Sequence, residues 1–497
     1  MKKTVHEYKD LTTGSIWKNL IALSLPIMLA NLLQTFYNLT DTFWLGKLTD
    51  GRDAVAVVGM SFPLVFFISS FGIGFTIAGT SLTAQYKGAG RISEIKKIFA
   101  QYILLLVTFS VVFLALAYSF IDAVLKLINT PEQIFENSEI YLSYIISGMV
   151  FMFIGMLYQS FAHGFGDTIS PMKIQLIAVG INIMLDPILI FGIGFIPSMG
   201  IRGAAIATLF SRFVAAILSV VFIFKKLHII VPKFREIIPD KIILKQIIKI
   251  SLPSSIGMSM TSFGFVFLQG FVNSYDTVIM SAHTIGNRLT SLFMMPAMGL
   301  GNALASIVGQ CLGAKKIDRA KESIKTTFIS VIILLAPINI LIYFYGGHLT
   351  QFFVNDPEVV SKGIRMFKIL SVASFSFGII HVFMGVFNGS GFTKYNMLLN
   401  SARLWAFRIP LVYIMSGRIL DYEIFASILL LRPFFEKMAI PLKEHPYEAL
   451  WWSMIISNFI TFAWALMLYS KGNWTKGTIH RPIEIVAEAE EIELSED

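Results

Sequence analysis

Long apolar stretches, separated by short polar or basic loops, recur from one end of this chain to the other. They lie at 19–45, 55–86, 97–128, 136–162, 170–195, 200–226, 246–275, 278–312, 324–353, 360–388, 394–417 and 447–470. Each can cross about 30 Å of hydrocarbon as an α-helix. Inside lipid a backbone must satisfy its own hydrogen bonds, so helices are the expected elements. The pattern predicts an all-α integral membrane protein with twelve transmembrane helices.

The chain is written twice. Ser24-Leu25-Pro26 returns as Ser251-Leu252-Pro253, and Gln85 to Ala89 returns as Gln310 to Ala314. Asn129-Thr130-Pro131-Glu132 returns as Asn355-Asp356-Pro357-Glu358, and Gly164 to Thr168 as Gly389 to Thr393. An even number of spans per copy gives both copies the same orientation. The two six-helix lobes are then related by a pseudo-two-fold axis along the membrane normal, with the substrate path between them. The expected divisions are a polar N-terminus (1–18), an N-lobe (19–226), a basic linker (227–245) with an amphipathic surface helix, a C-lobe (246–472) and an acidic tail (473–497). The second copy also carries an insertion at about 417–446, expected on the extracytoplasmic face.

Composition agrees with the hydropathy. The 497 residues are 55% hydrophobic and 14% charged, against roughly 25% charged in soluble domains. The formal charge of +9 is explained by its placement. Lys and Arg gather in alternate loops, at Lys2 to Lys18, Lys87 to Lys97, Lys225 to Lys245, Lys315 to Lys321 and Lys471 to Lys476, whereas Glu132, Glu136 and Glu139 occupy an intervening one. This positive-inside pattern predicts a multi-pass protein of the cell (plasma or inner) membrane with both termini cytoplasmic, and gives no support to nucleic-acid binding. The first span lacks a small-residue cleavage site and reads as an uncleaved helix. Cys311 is the single cysteine, so neither an internal disulfide nor a thiolate cluster can form.

Charge inside the spans carries the chemistry. On the first span Asn31, Gln34, Thr35, Asn38, Asp41 and Thr42 share one helix face, and on the fifth Gln175, Asn182 and Asp186 do. A carboxylate in hydrocarbon is costly and marks an ion or substrate path. Facing oxygens suit a hard monovalent cation. They also suit a proton, since desolvation and a like-charged neighbour both favour the protonated form of a carboxyl. The second copy lacks both aspartates. It carries Arg403, Trp405 and Arg408 on the eleventh span and Arg288 on the eighth, which suit an anionic substrate group, a carboxylate partner or helix ends. His163, His283 and His381 lack metal-ligand spacing and read as structural. No phosphate-binding loop, zinc-protease motif or hydrolase elbow is present, so the chain is not expected to be an enzyme or an ATP-driven pump.

Tyr37 to Gly46, Gln85 to Gly90, Gly164 to Thr168, Asn182 with Leu185-Asp186-Pro187, Gly203 to Thr208, Ser281 to His283 and Gly309 to Ala314 resemble the multidrug and toxic compound extrusion (MATE) family, DinF-like or archaeal-type branch. The resemblance covers about residues 15 to 472. It implies twelve helices around a central cavity and export of drugs or other amphipathic, cationic small molecules, coupled to Na⁺ or H⁺, by a monomer in contact with membrane lipid. By the same resemblance Asp41, Asn182, Asp186 and Thr208 would hold the cation, with Tyr37 and Tyr141 nearby and Gln34 and Asn38 in the cavity. No cofactor is implied beyond the coupling ion. A lipid-linked-precursor flippase of the same superfamily is the alternative, kept open by Arg288, Arg403 and Arg408.

Overall fold

The structure is a computed structural model that describes residues 9–128, 130–194, 196–418 and 442–479. The first six helices are α1 (Ile16–Leu45), α2 (Gly51–Gly88), α3 (Ile92–Leu127), α4 (Glu132–Gly164), α5 (Ile169–Phe191) and α6 (Gly200–Lys226). The next four are α7 (Lys241–Val272), α8 (Thr277–Gly313), α9 (Ile317–Phe353) and α10 (Pro357–Ser390). The eleventh crossing, α11, is built from Thr393–Ser401, a π-helical turn at Ala402–Arg408 and Ile409–Met415; α12 is Ala449–Ser470. The fold is thus all-α, with twelve membrane crossings in two lobes.

Local chemistry sets several helix starts. Ser15 caps α1, and Asp240, Asp276 and Asp356 cap α7, α8 and α10 by accepting hydrogen bonds from first-turn amides. Gly192 ends α5 at φ +77°, a left-handed conformation that a Cβ disfavours. The linker differs from the surface helix expected of it. It forms two 3₁₀ turns, His228–Ile230 and Phe234–Glu236, and α7 begins at Lys241, earlier than the expected boundary. Pro232 and Pro239 explain the difference, since each lacks an amide donor and biases its predecessor towards extended backbone. Most of the expected insertion, and the tail from residue 480, lie outside the described residues.

The two copies pack alike. In the first, α2 lies against α4, α4 against α6, and α1 against α5; in the second, α8 lies against α10, α10 against α12, and α7 against α11. The lobes are not cleanly separate, however. Leu20, Leu23 and Ile27 in the first half of α1 join a core made mostly by α8 to α12, whereas Leu45 at its far end joins the N-lobe core. Reciprocally, Ile243, Ile247 and Ile250 of α7 pack into the N-lobe, and Leu268, Phe271 and Val272 into the C-lobe. Helices α1 and α7 therefore cross between lobes, with Pro26 and Pro253 inside them.

At the face that carries residues 9–14 and 473–479, the lobes are joined. A Cβ on Gly88 would lie 2.0 Å from the Gln310 carbonyl oxygen, and one on Gly313 would lie 1.8 Å from that of Gln85. Only glycine permits so close a crossing of α2 and α8. Towards the other face Phe36, Leu39 and Phe43 of α1 and Phe62 of α2 are exposed.

Candidate functional site

Four N-lobe helices converge on one polar pocket. Helix α1 supplies Tyr37 and, one turn on, Asp41; α5 supplies Asn182 and, one turn on, Asp186. Helix α6 adds Thr208, Ser211 and Arg212, and α4 adds Tyr141. Close approach of α5 and α6 is enforced by Gly203, where a Cβ would come 2.4 Å from the Leu189 carbonyl oxygen. Asp186 and Asn182 are fully buried, and Asp41, Thr208, Tyr37 and Tyr141 nearly so.

Three of the pocket oxygens are left unsatisfied. Asn182 Nδ2 donates to Asp186 Oδ1 at 3.0 Å, and Thr208 Oγ1 reaches Asp41 Oδ2 only at 3.5 Å. The side chains of Asp41, Asp186 and Asn182 interact electrostatically with one another. Asp41 Oδ1, Asp186 Oδ2 and Asn182 Oδ1 are buried without any hydrogen-bond partner. Buried acceptors are normally paired, so three orphaned oxygens in one pocket are a strong exception. An oxygen-only donor set of this kind accepts a hard cation or a shared proton. No cluster of three His, Cys, Asp or Glu that could hold a metal ion occurs among the described residues.

Arg212 is the member that the sequence reasoning overlooked. Its guanidinium acts electrostatically on Asp41, Tyr37 and Tyr141, and its Nη1 donates to the Ile145 carbonyl at 3.5 Å. Gly148 on α4 faces this side chain; a Cβ there would sit 3.4 Å from Arg212 Cδ. The sequence signal was an arginine one turn beyond Thr208 on an otherwise apolar span.

The remaining candidates lie elsewhere. Gln34 and Asn38 are exposed, bonded to each other at 3.4 Å, and Gln175 Nε2 donates to Gln34 Oε1 at 2.9 Å. The polar face of α1 thus divides into a buried part around Asp41 and an exposed part around Gln34. In the C-lobe Arg288 is exposed, whereas Arg403 and Arg408 are 3% and 2% exposed. His163 and His283 are buried, and His381 Nδ1 lies 3.1 Å from the Phe377 carbonyl oxygen.

The comparison with known families decides the lineage, because the MatE family model matches residues 26–188 and, a second time, 253–414. The chain belongs to the MatE family. It is a multi-pass membrane transporter, and the two matches coincide with the internal duplication. Probable multidrug resistance protein YoeA of Bacillus subtilis is 28% identical over 407 residues, which is 81% of this chain and 87% of that protein. A protein of Shewanella oneidensis named FAD transporter is 27% identical over 401 residues, 81% of this chain and 88% of its own length. Among solved structures, an outward-facing MATE family transporter of the MOP superfamily superposes with a TM-score of 0.80 at 22% identity, covering 96% of this chain and 99% of that one. That likeness speaks for the fold.

Proposed function

We propose that this MatE transporter exports amphipathic organic molecules in exchange for Na⁺ or H⁺, with the exchange site in the N-lobe. The observation that carries the reading is the set of three unpartnered oxygens on Asp41, Asn182 and Asp186. Charge counting sharpens it. When both carboxyls are ionised, two negative charges beside one guanidinium, Arg212, leave one net negative charge, which one entering monovalent cation neutralises. At about 2.3 kcal/mol per charge per 100 mV, that single cation contributes usefully to uphill export.

The names of the relatives support organic cargo of either sign, since one is called a multidrug resistance protein and another an FAD transporter. The joined face would be cytoplasmic by its lysines and arginines, which makes this state outward-open. Cation entry and substrate release would then be linked by a coupling free energy of about 1–3 kcal/mol, equal in both directions. The acidic N-lobe pocket speaks against the alternative, a flippase for lipid-linked precursors.

The test is efflux of a fluorescent lipophilic cation from proteoliposomes under an imposed Na⁺ or pH gradient. Transport should follow one of the two gradients and disappear in Asp41→Asn and Asp186→Asn while the protein still purifies as a folded monomer. Full gradient-driven transport in Asp41→Asn would falsify the reading.

A further inference from the structure

The C-lobe holds a second buried cluster of charged and polar side chains, of opposite sign. Arg403 and Arg408 lie on α11, the counterpart of α5, which carries Asp186 in the first copy. On a regular α-helix, at about 100° per residue, side chains five positions apart diverge by ~140°. In the π turn they do not, because a π turn closes i→i+5 hydrogen bonds, as from the Ile409 amide to the Leu404 carbonyl. Pro410, just beyond the turn, has no amide hydrogen for the Ala406 carbonyl, so the regular ladder is interrupted there. Both guanidinia consequently point into the lobe, close enough to repel each other.

Among the described residues nothing anionic answers them. Arg408 donates from Nε to Ser457 Oγ at 3.2 Å and from Nη2 to Asn458 Oδ1 at 3.0 Å, both neutral acceptors. Arg403 stacks with its Cζ 4.3 Å from the Phe377 ring centroid, and its Nε is buried without a hydrogen-bond partner. His283 lies near Arg408 and His381 near Arg403, and the Nδ1 of His283 is also unpartnered. Among the described residues neither arginine forms a salt bridge. A buried ion normally persists only when it is paired and hydrogen-bonded. Two adjacent ones of the same sign, each with its partner missing, break that rule in one place.

We propose that Arg403 and Arg408 form an anion-binding site, which takes the sulfonate, carboxylate or phosphate group of a transported amphipathic molecule. A small inorganic anion from the medium is the other source of the same chemistry. The guanidinium fork suits such oxyanions because it can donate two parallel hydrogen bonds. The proposal rests on the transporter reading above, but its test is equilibrium binding without any gradient. Failure of cation coupling and failure of anion binding are therefore separately visible.

The experiment uses the full chain in lipid nanodiscs and follows its thermal unfolding midpoint. It adds an aryl sulfonate, the matching neutral aryl sulfonamide, sodium chloride or sodium phosphate. The sulfonate should raise the midpoint by a few degrees, with at least tenfold tighter half-saturation than the sulfonamide. Arg403→Met loses no hydrogen bond among the described residues, so it should fold and match or exceed the wild-type midpoint without anion. It should also abolish the sulfonate response, whereas Arg403→Lys should retain part of it. Equal responses to sulfonate and sulfonamide, or an unchanged sulfonate response in Arg403→Met, would overturn the site. A response to chloride or phosphate alone would overturn its assignment to cargo.

Discussion

Arg212 adds a positive charge to the proposed cation pocket without a hydrogen bond to either carboxylate among the described residues. It acts on Asp41 through space and donates to the Ile145 carbonyl. Replacing it by Met should make the pocket one charge more negative at a given protonation state. At an effective dielectric of about 20, one unit charge a few ångströms further off is worth on the order of 1–2 kcal/mol. Arg212→Met should therefore bind the coupling cation about tenfold more tightly and turn over more slowly, because release becomes harder. Cation titration of the purified protein together with vesicle transport checks both, and unchanged affinity would remove Arg212 from the site. Much of this pocket was legible in the sequence. Asp41 and Asp186 stand out because carboxylates are rare in apolar spans, and Asn182 lies one turn from Asp186. Thr208 and Tyr141 entered by family resemblance. Arg212 escaped because its meaning lies in what α1 and α4 bring to it, and a linear pattern holds no record of neighbours.

At the scale of elements, hydropathy located every crossing, but it could not report how α11 is wound. The run from 394 to 417 reads as one ordinary span, while the structure interrupts it with a π turn at Ala402–Arg408. Pro410 is the visible trace of that turn, and its consequence depends on whether the freed carbonyl finds another donor. Pro410→Ala restores the amide to Ala406. The segment should then relax towards α-helical pairing, turn Arg403 and Arg408 apart, and weaken the sulfonate response. Amide exchange across residues 402–410 should slow as the regular ladder re-forms; unchanged exchange and unchanged sulfonate binding would mean that the turn is held by packing against α12. The linker shows the same limit from another side. Its basic and apolar residues suggested a helix, yet two prolines at close spacing outweigh that composition.

For the whole molecule, the duplication places equivalent glutamines on either side of the α2–α8 crossing. Gln310 Nε2 donates to the Gly164 carbonyl at 2.9 Å, and its Oε1 accepts from the Leu11 amide at 3.2 Å. Gln85 Nε2 donates to the Gly389 carbonyl at 3.0 Å, and its Oε1 accepts from the Thr478 amide at 2.9 Å. Each glutamine thus bridges to the opposite lobe and also pins one terminal segment. The N-terminal segment is held further by Lys316 to the Thr12 carbonyl at 3.1 Å and by Arg319 to those of Leu11, Thr13 and Gly14 at 3.2, 2.7 and 2.8 Å. The proposed exchange by alternating access requires this face to separate, so these bonds would weight the equilibrium towards the joined state. At about 1 kcal/mol net per hydrogen bond, losing the four glutamine bonds should shift the ratio of joined to separated states by on the order of 10²-fold or more. Spin labels at Ser93→Cys and Asp318→Cys, exposed equivalents in the two copies, can read the separation, since Cys311 is buried. Gln85→Ala combined with Gln310→Ala should add a longer-distance population, and each single variant should add a smaller one. A distance distribution identical to that of the parent would show that the α2–α8 glycine crossing alone holds the face together. In that case Gly313→Val, which places a side chain against the Gln85 carbonyl, should separate it where the glutamine variants did not.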